Sequence, residues 1–135
     1  MNPADYAKRY AEAQVTMVDR GGLLLLVFEG GMRFLRLTRE ALAAGDLPRM
    51  ATHLGRAQAI VTELRGTLDY DAGGTIARDL ARLYDFMLVH LGEAYARRSL
   101  RHVDEVLAVF GTITDAYRTI LEGRSGTEPA AASAA

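Results

Sequence analysis

Residues 23–35 read LLLLVFEGGMRFL. Six apolar residues, Leu23 to Phe28, run without a break, and a carboxylate, two glycines and more apolar residues follow. The stretch admits three readings: a strand closed by a turn, a membrane segment, or a helix that is apolar on nearly every side. A membrane helix needs about 20 apolar residues, and here Glu29 and Arg33 interrupt after six. A strand fits on propensity, but no second strand candidate exists for it to pair with. The helix remains. A bundle helix needs one buried stripe, so the excess means cover on more than one side. Gly30 and Gly31 each cost about 1 kcal/mol relative to alanine in a helix interior. They belong where another segment must approach the backbone closely, either the chain's own N-terminal segment or a partner.

Downstream of this stretch, MRFLRLTREALAA continues the helix, with Phe34, Leu35 and Leu42 on one side and Arg36, Arg39 and Glu40 on the other. Asp19 is the expected N-cap and Gly45 the C′ residue. The next helix is capped by Asp46 with Pro48 in its first turn. Its apolar positions Met50, Leu54, Ala57, Val61, Leu64 and Leu68 fall at alternating spacings of four and three, a seam on one helix face. A third helix follows DYDAGG, which reads as a helix-to-helix turn capped by Asp71 or Thr75. Ile76, Leu80, Leu83, Met87, Leu91 and Ala94 make its seam, widened by Tyr84, Leu88 and Tyr95. RRS breaks the pattern with Ser99 as cap, and Leu100, Val103, Leu107, Phe110, Ile113, Tyr117 and Leu121 form the last seam. RSGTEPAAASAA, the final stretch, is small or polar and reads as a disordered tail.

Four matched helices with short connections predict an all-α, antiparallel four-helix bundle over residues 19–122. A short N-terminal helical segment, 1–18, packs over it, and the tail occupies 123–135. Tyr6 and Tyr10, spaced i, i+4, share a face of that segment. It is either a strap closing the core or a removable cover over the apolar helix at Leu23.

Composition narrows the function. The 135 residues carry a net charge of −1 and 50% hydrophobic residues, which gives one domain with a real core and nothing to favour nucleic acid. Absence of cysteine excludes a disulfide framework, a zinc ribbon and thiol catalysis. MNPADYAKRYAEAQ lacks the apolar run of a secretory signal, so a soluble, cytoplasmic protein without stable membrane insertion is expected. The three histidines, His53, His90 and His102, fall on three different helices as surface or boundary residues. His90 and Glu93 are the one close pair, in the reverse order of a bundle di-metal motif. No serine has a histidine partner in a catalytic arrangement. No enzyme activity, metal or cofactor is expected.

The order of motifs then carries a resemblance. YAKRY, QVT, LLLLVFEGGMRFL, AGD at the second helix start, and LDYDAGGTIARDLARLYDFM follow one another as in the FliS family of flagellin export chaperones, which the chain resembles from Tyr6 to Ile120. Departures exist: Phe28 stands where the family usually has Tyr, Glu29 for Asp, Asp19 and Arg20 for Ser-Pro, Asp79 for a frequent Asn and Tyr117 for a frequent Trp. The resemblance implies a cytoplasmic chaperone that binds the disordered C-terminal region of flagellin. Binding prevents premature polymerisation and holds the subunit for the flagellar type III export apparatus, whose gate components are further implied partners. The family's N-terminal segment is thought to occupy part of the site until the client arrives. The client surface expected on this basis comprises Tyr6, Tyr10, Leu24, Leu25, Phe28 and Met32, with Tyr84, Met87, Leu88 and Leu91 from the third bundle helix. Two rivals are a bundle that self-associates through the same apolar surface and a metal-binding bundle enzyme.

Overall fold

The computed structural model describes the backbone of residues 2–15 and 20–134 and the side chains of residues 2–9 and 22–123. Five helices and no strand occur among the described residues: α1 (Pro3–Val15), α2 (Arg20–Ala43), α3 (Leu47–Gly66), α4 (Tyr70–Arg97) and α5 (Leu100–Ala134). Helices α2 to α5 pack in a ring, each against its neighbours in sequence, and α5 closes it against α2. The expected antiparallel bundle is therefore present, and the strand reading of residues 23–28 fails. No helix among the described residues is long and apolar enough to cross a membrane.

The short connections are built from backbone chemistry. Gly45 takes φ +74°, a conformation open to glycine at no Cβ penalty. There its N–H donates to Leu42 O at 3.0 Å and the Asp46 N–H to Ala41 O at 2.8 Å, the paired bonds that close a helix end. The Asp46 carboxylate then accepts from Arg49 N at 3.3 Å and caps α3. Ser99 caps α5 by accepting from His102 N at 3.3 Å. The cap of α4 is neither Asp71 nor Thr75. Asp69 holds extended backbone and its carboxylate accepts from Asp71 N and Ala72 N, both at 3.0 Å. Helix α4 thus starts at Tyr70, and Gly74, at φ +53° and ψ −127°, kinks it after the first turn. The expected cap at Asp19 lies outside the described residues. The backbone of α5 runs beyond Gly123 to Ala134, and the side chains of the expected tail also lie outside them.

All the seam positions expected for α3 are buried. So are Leu80, Met87, Leu91 and Ala94 of α4 and Val103, Phe110, Ile113 and Tyr117 of α5. Tyr95 departs from its expected place and is 54% exposed, lying about 100° round the helix from the fully buried Ala94 and so off the inward face. His102 also departs: it is buried, its ring tilted at 46° against that of His90 with 5.0 Å between centroids.

The segment that approaches Gly31 belongs to the bundle itself, not to a cover. A Cβ on Gly31 would lie 2.6 Å from Phe110 Cζ and 3.1 Å from Ile60 Cγ2, whereas a Cβ on Gly30 would meet only Ile60 Cδ1 at 3.7 Å. The two neighbouring glycines should therefore answer alanine with opposite signs. Gly30→Ala is expected to stabilise by about 0.5–1 kcal/mol, the gain in helix propensity. Gly31→Ala must displace a fully buried ring and is expected to destabilise by about 1–3 kcal/mol despite the same gain. Urea midpoints at unchanged slope measure both.

Candidate functional site

Helix α1 packs mainly on α5 and α4 and only touches α2. The segment therefore does not lie chiefly over the apolar helix at Leu23, as the second of its two readings had it. Ala7 is fully buried in the core and Tyr6 is half-buried against it. Partial burial and then the neighbouring Asp79 carboxylate hold the Tyr6 phenol above the usual tyrosine pKa. The Tyr10 side chain lies outside the described residues.

The other expected client residues separate by burial. Phe28, Tyr84, Met87 and Leu91 are in the core, each no more than 2% exposed. Phe28 sits in an aromatic cluster that locks α2 to α5, its ring centroid 5.5 Å from Phe110 and 4.6 Å from Tyr117. Leu24, Leu25, Met32 and Leu88 are half-buried and pack against that core. Met32 leans on α5, its Cε within 3.4 Å of where a Gly111 Cβ would stand.

The exposed apolar surface of α2 belongs to residues that periodicity did not single out. Leu23 and Leu26 are each 66% exposed. Spaced i, i+3, they share one outward face, and the half-buried Leu24, Leu25 and Val27 flank them. Phe86 and Val89 form a second exposed pair on α4, with the Phe86 ring 4.1 Å from His90. The signal that could have found Leu23 was the length of the apolar run itself: six consecutive apolar residues exceed what one buried stripe can hold.

His90 Nε2 lies 2.7 Å from Glu105 Oε2, and His102 Nδ1 lies 2.7 Å from Ser99 Oγ. Among the described residues, no group of three or more His, Asp or Glu could hold a metal ion. What α2 offers is two large apolar side chains in water, on a helix whose opposite face is fixed by the aromatic cluster. Exposed apolar side chains grouped on one face have the character of an interaction surface.

Comparison with known proteins agrees with that character. Residues 2–124 match the family model described as flagellar protein FliS. The chain is 34% identical over 104 residues to the flagellar secretion chaperone FliSB of Pseudomonas aeruginosa, covering 77% of this chain and 82% of that protein. It is 30% identical over 116 residues to the flagellar secretion chaperone FliS of Salmonella typhimurium, covering 85% of this chain and 86% of that one. To the flagellar secretion chaperone FliS of Vibrio cholerae it is 27% identical over 115 residues, covering 85% of each.

Proposed function

The chain belongs to the FliS family, and from that premise we infer that it is a flagellar export chaperone whose client is flagellin. The family is one of chaperones, not of enzymes, and its curated relatives are named for secretion. In this reading the protein binds the disordered C-terminal region of flagellin in the cytoplasm, blocks its premature polymerisation and presents it to the export apparatus. Components of the export gate are further partners.

One observation carries the reading: Leu23 and Leu26 stand two-thirds exposed on a helix that the rest of the bundle holds rigid. A disordered amphipathic segment gains by folding its apolar face onto such a surface. Each leucine fully withdrawn from water contributes about 1.5–3 kcal/mol before ordering costs. The half-buried Leu24, Leu25 and Met32 extend the surface along α2. Phe28 supports it from beneath without touching the client. Tyr6 and Tyr10 of α1, over α4 and α5, and Leu88 would take part where the segment continues around the bundle.

Titration calorimetry with a peptide from the last helix-forming segment of flagellin tests this. The expected result is saturable binding with a large negative heat-capacity change, the mark of coupled folding onto apolar surface. No binding to that peptide or to whole monomeric flagellin, from a sample folded by circular dichroism, overturns the reading. Mass that rises with concentration in light scattering, and ceases to do so in Leu23→Asp with Leu26→Asp, would instead place a second copy on the same leucines.

A further inference from the structure

The outward face of α4 carries Arg82, Phe86, Val89 and Glu93 at spacings of four, three and four, one stripe along the helix. Phe86 is 42% and Val89 65% exposed. The Arg82 and Glu93 side chains are 80% and 42% exposed. His90 steadies the Phe86 ring from one side, 4.1 Å away between centroids. The bundle leaves both apolar side chains in water, because α1 meets α4 nearer its start, where Tyr6 lies beside Asp79.

The charges around this pair are already matched within the chain. Arg82 is paired with Asp79 at 3.2 Å, Asp85 with Arg65 at 2.6 Å and Glu93 with Arg97 at 2.7 Å. A partner of one sign, acidic or basic, gains little from such a face. The order of residues along the stripe selects a different partner. From either end it runs charge, apolar, apolar, charge, and the two charges are opposite.

We propose that this stripe pairs α4 with α4 of a second copy, antiparallel, in a weak homodimer. A two-fold axis between Phe86 and Val89 sets Phe86 of each copy on Val89 of the other and Arg82 of each opposite Glu93 of the other. That reciprocity is what a two-fold interface requires. A parallel pair would set Arg82 on Arg82 and Glu93 on Glu93, like charge on like. One turn beyond Glu93 the antiparallel register brings Arg97 opposite Arg78, and Asp79 beside Arg78 offsets the repulsion. One helix face with two large apolar side chains falls below the roughly 1,200–2,000 Å² of a standard interface, so the dimer dissociates readily on dilution. It shares no residue with Leu23 and Leu26 on α2, and it stands or falls apart from the flagellin reading.

Sedimentation equilibrium over a wide concentration range tests it, with each variant checked for folding by circular dichroism. The intact protein is expected to show a reversible monomer–dimer equilibrium. Arg82→Glu should raise the dissociation constant about tenfold or more, since it sets carboxylate on carboxylate at two symmetric places. Adding Glu93→Arg should return it close to the parent value, because the swapped pair is complementary again. Val89→Asp should abolish the dimer and leave the fold intact, as expected at an exposed position. Leu23→Asp with Leu26→Asp should leave the dimer unchanged. The chain has no cysteine, so the register can be read as well: Arg82→Cys and Glu93→Cys chains, mixed and oxidised, should link to each other faster than either links to itself. A protein that stays monomeric at its highest concentration overturns the proposal. So does a dimer that survives Val89→Asp, one that the two α2 substitutions dissolve, or a failure of Glu93→Arg to rescue Arg82→Glu.

Discussion

Phe28→Ala is expected to lower the stability of the bundle by about 3–5 kcal/mol, the range for removing a fully buried aromatic side chain. Phe28 is 1% exposed and touches both Phe110 and Tyr117. Its loss opens a cavity where α2 meets α5 and also removes ring contacts worth about 0.5–1.5 kcal/mol each. Against a total of about 5–15 kcal/mol for a domain, that is a large fraction. Urea denaturation followed by circular dichroism should show a lower midpoint at unchanged slope. Phe28→Ala with Phe110→Ala should be less destabilising than the sum of the two, because both delete the same contact. The prediction has a functional edge. If Phe28→Ala were as stable as the parent yet no longer bound flagellin, Phe28 would be a client contact and the core assignment would be wrong.

That distinction could not be made from the sequence, and the reason is physical. Helix α3 was legible because its apolar residues fall on one face and polar residues on the rest, so periodicity fixes which side is inward. Leu23 to Phe28 has no polar residue to phase it. Each of its six positions is a candidate for the core, and only the placement of α5 decides that Phe28 enters it while Leu23 and Leu26 do not. The glycines were legible in kind: a close approach was expected and occurs at Gly31. The approaching groups, Phe110 and Ile60, are distant in sequence, and local pattern carries no information about them. Helix α1 shows the same limit. Its amphipathic face says that it docks, not that the groove between α4 and α5 receives it. Within DYDAGGT, several polar side chains could cap, and the extended backbone at Asp69 chooses among them.

Leu23→Asp combined with Leu26→Asp is expected to weaken flagellin binding by roughly 100-fold or more and to leave the fold intact. Two leucines, each worth about 1.5–3 kcal/mol when fully buried, correspond to a factor of that order or greater. Carboxylates placed there would also have to be desolvated against the client's apolar face, which adds to the loss. In the free protein the same substitutions meet water. Both positions are 66% exposed, so stability should stay within about 0.5 kcal/mol of the parent, as for surface changes elsewhere. Asp at position 23, in the first turn of α2, also faces the positive end of the helix dipole, which offsets its lower helix propensity there. The variant thus separates binding from folding in a way that Phe28→Ala cannot. Calorimetry against the flagellin peptide, with urea midpoints measured on the same samples, reads both quantities. A folded double variant that still binds at the parent's affinity would remove the outer face of α2 from the client surface. The remaining exposed apolar pair, Phe86 and Val89 on α4, would then be the place to look, and Val89→Asp should produce the loss that α2 did not.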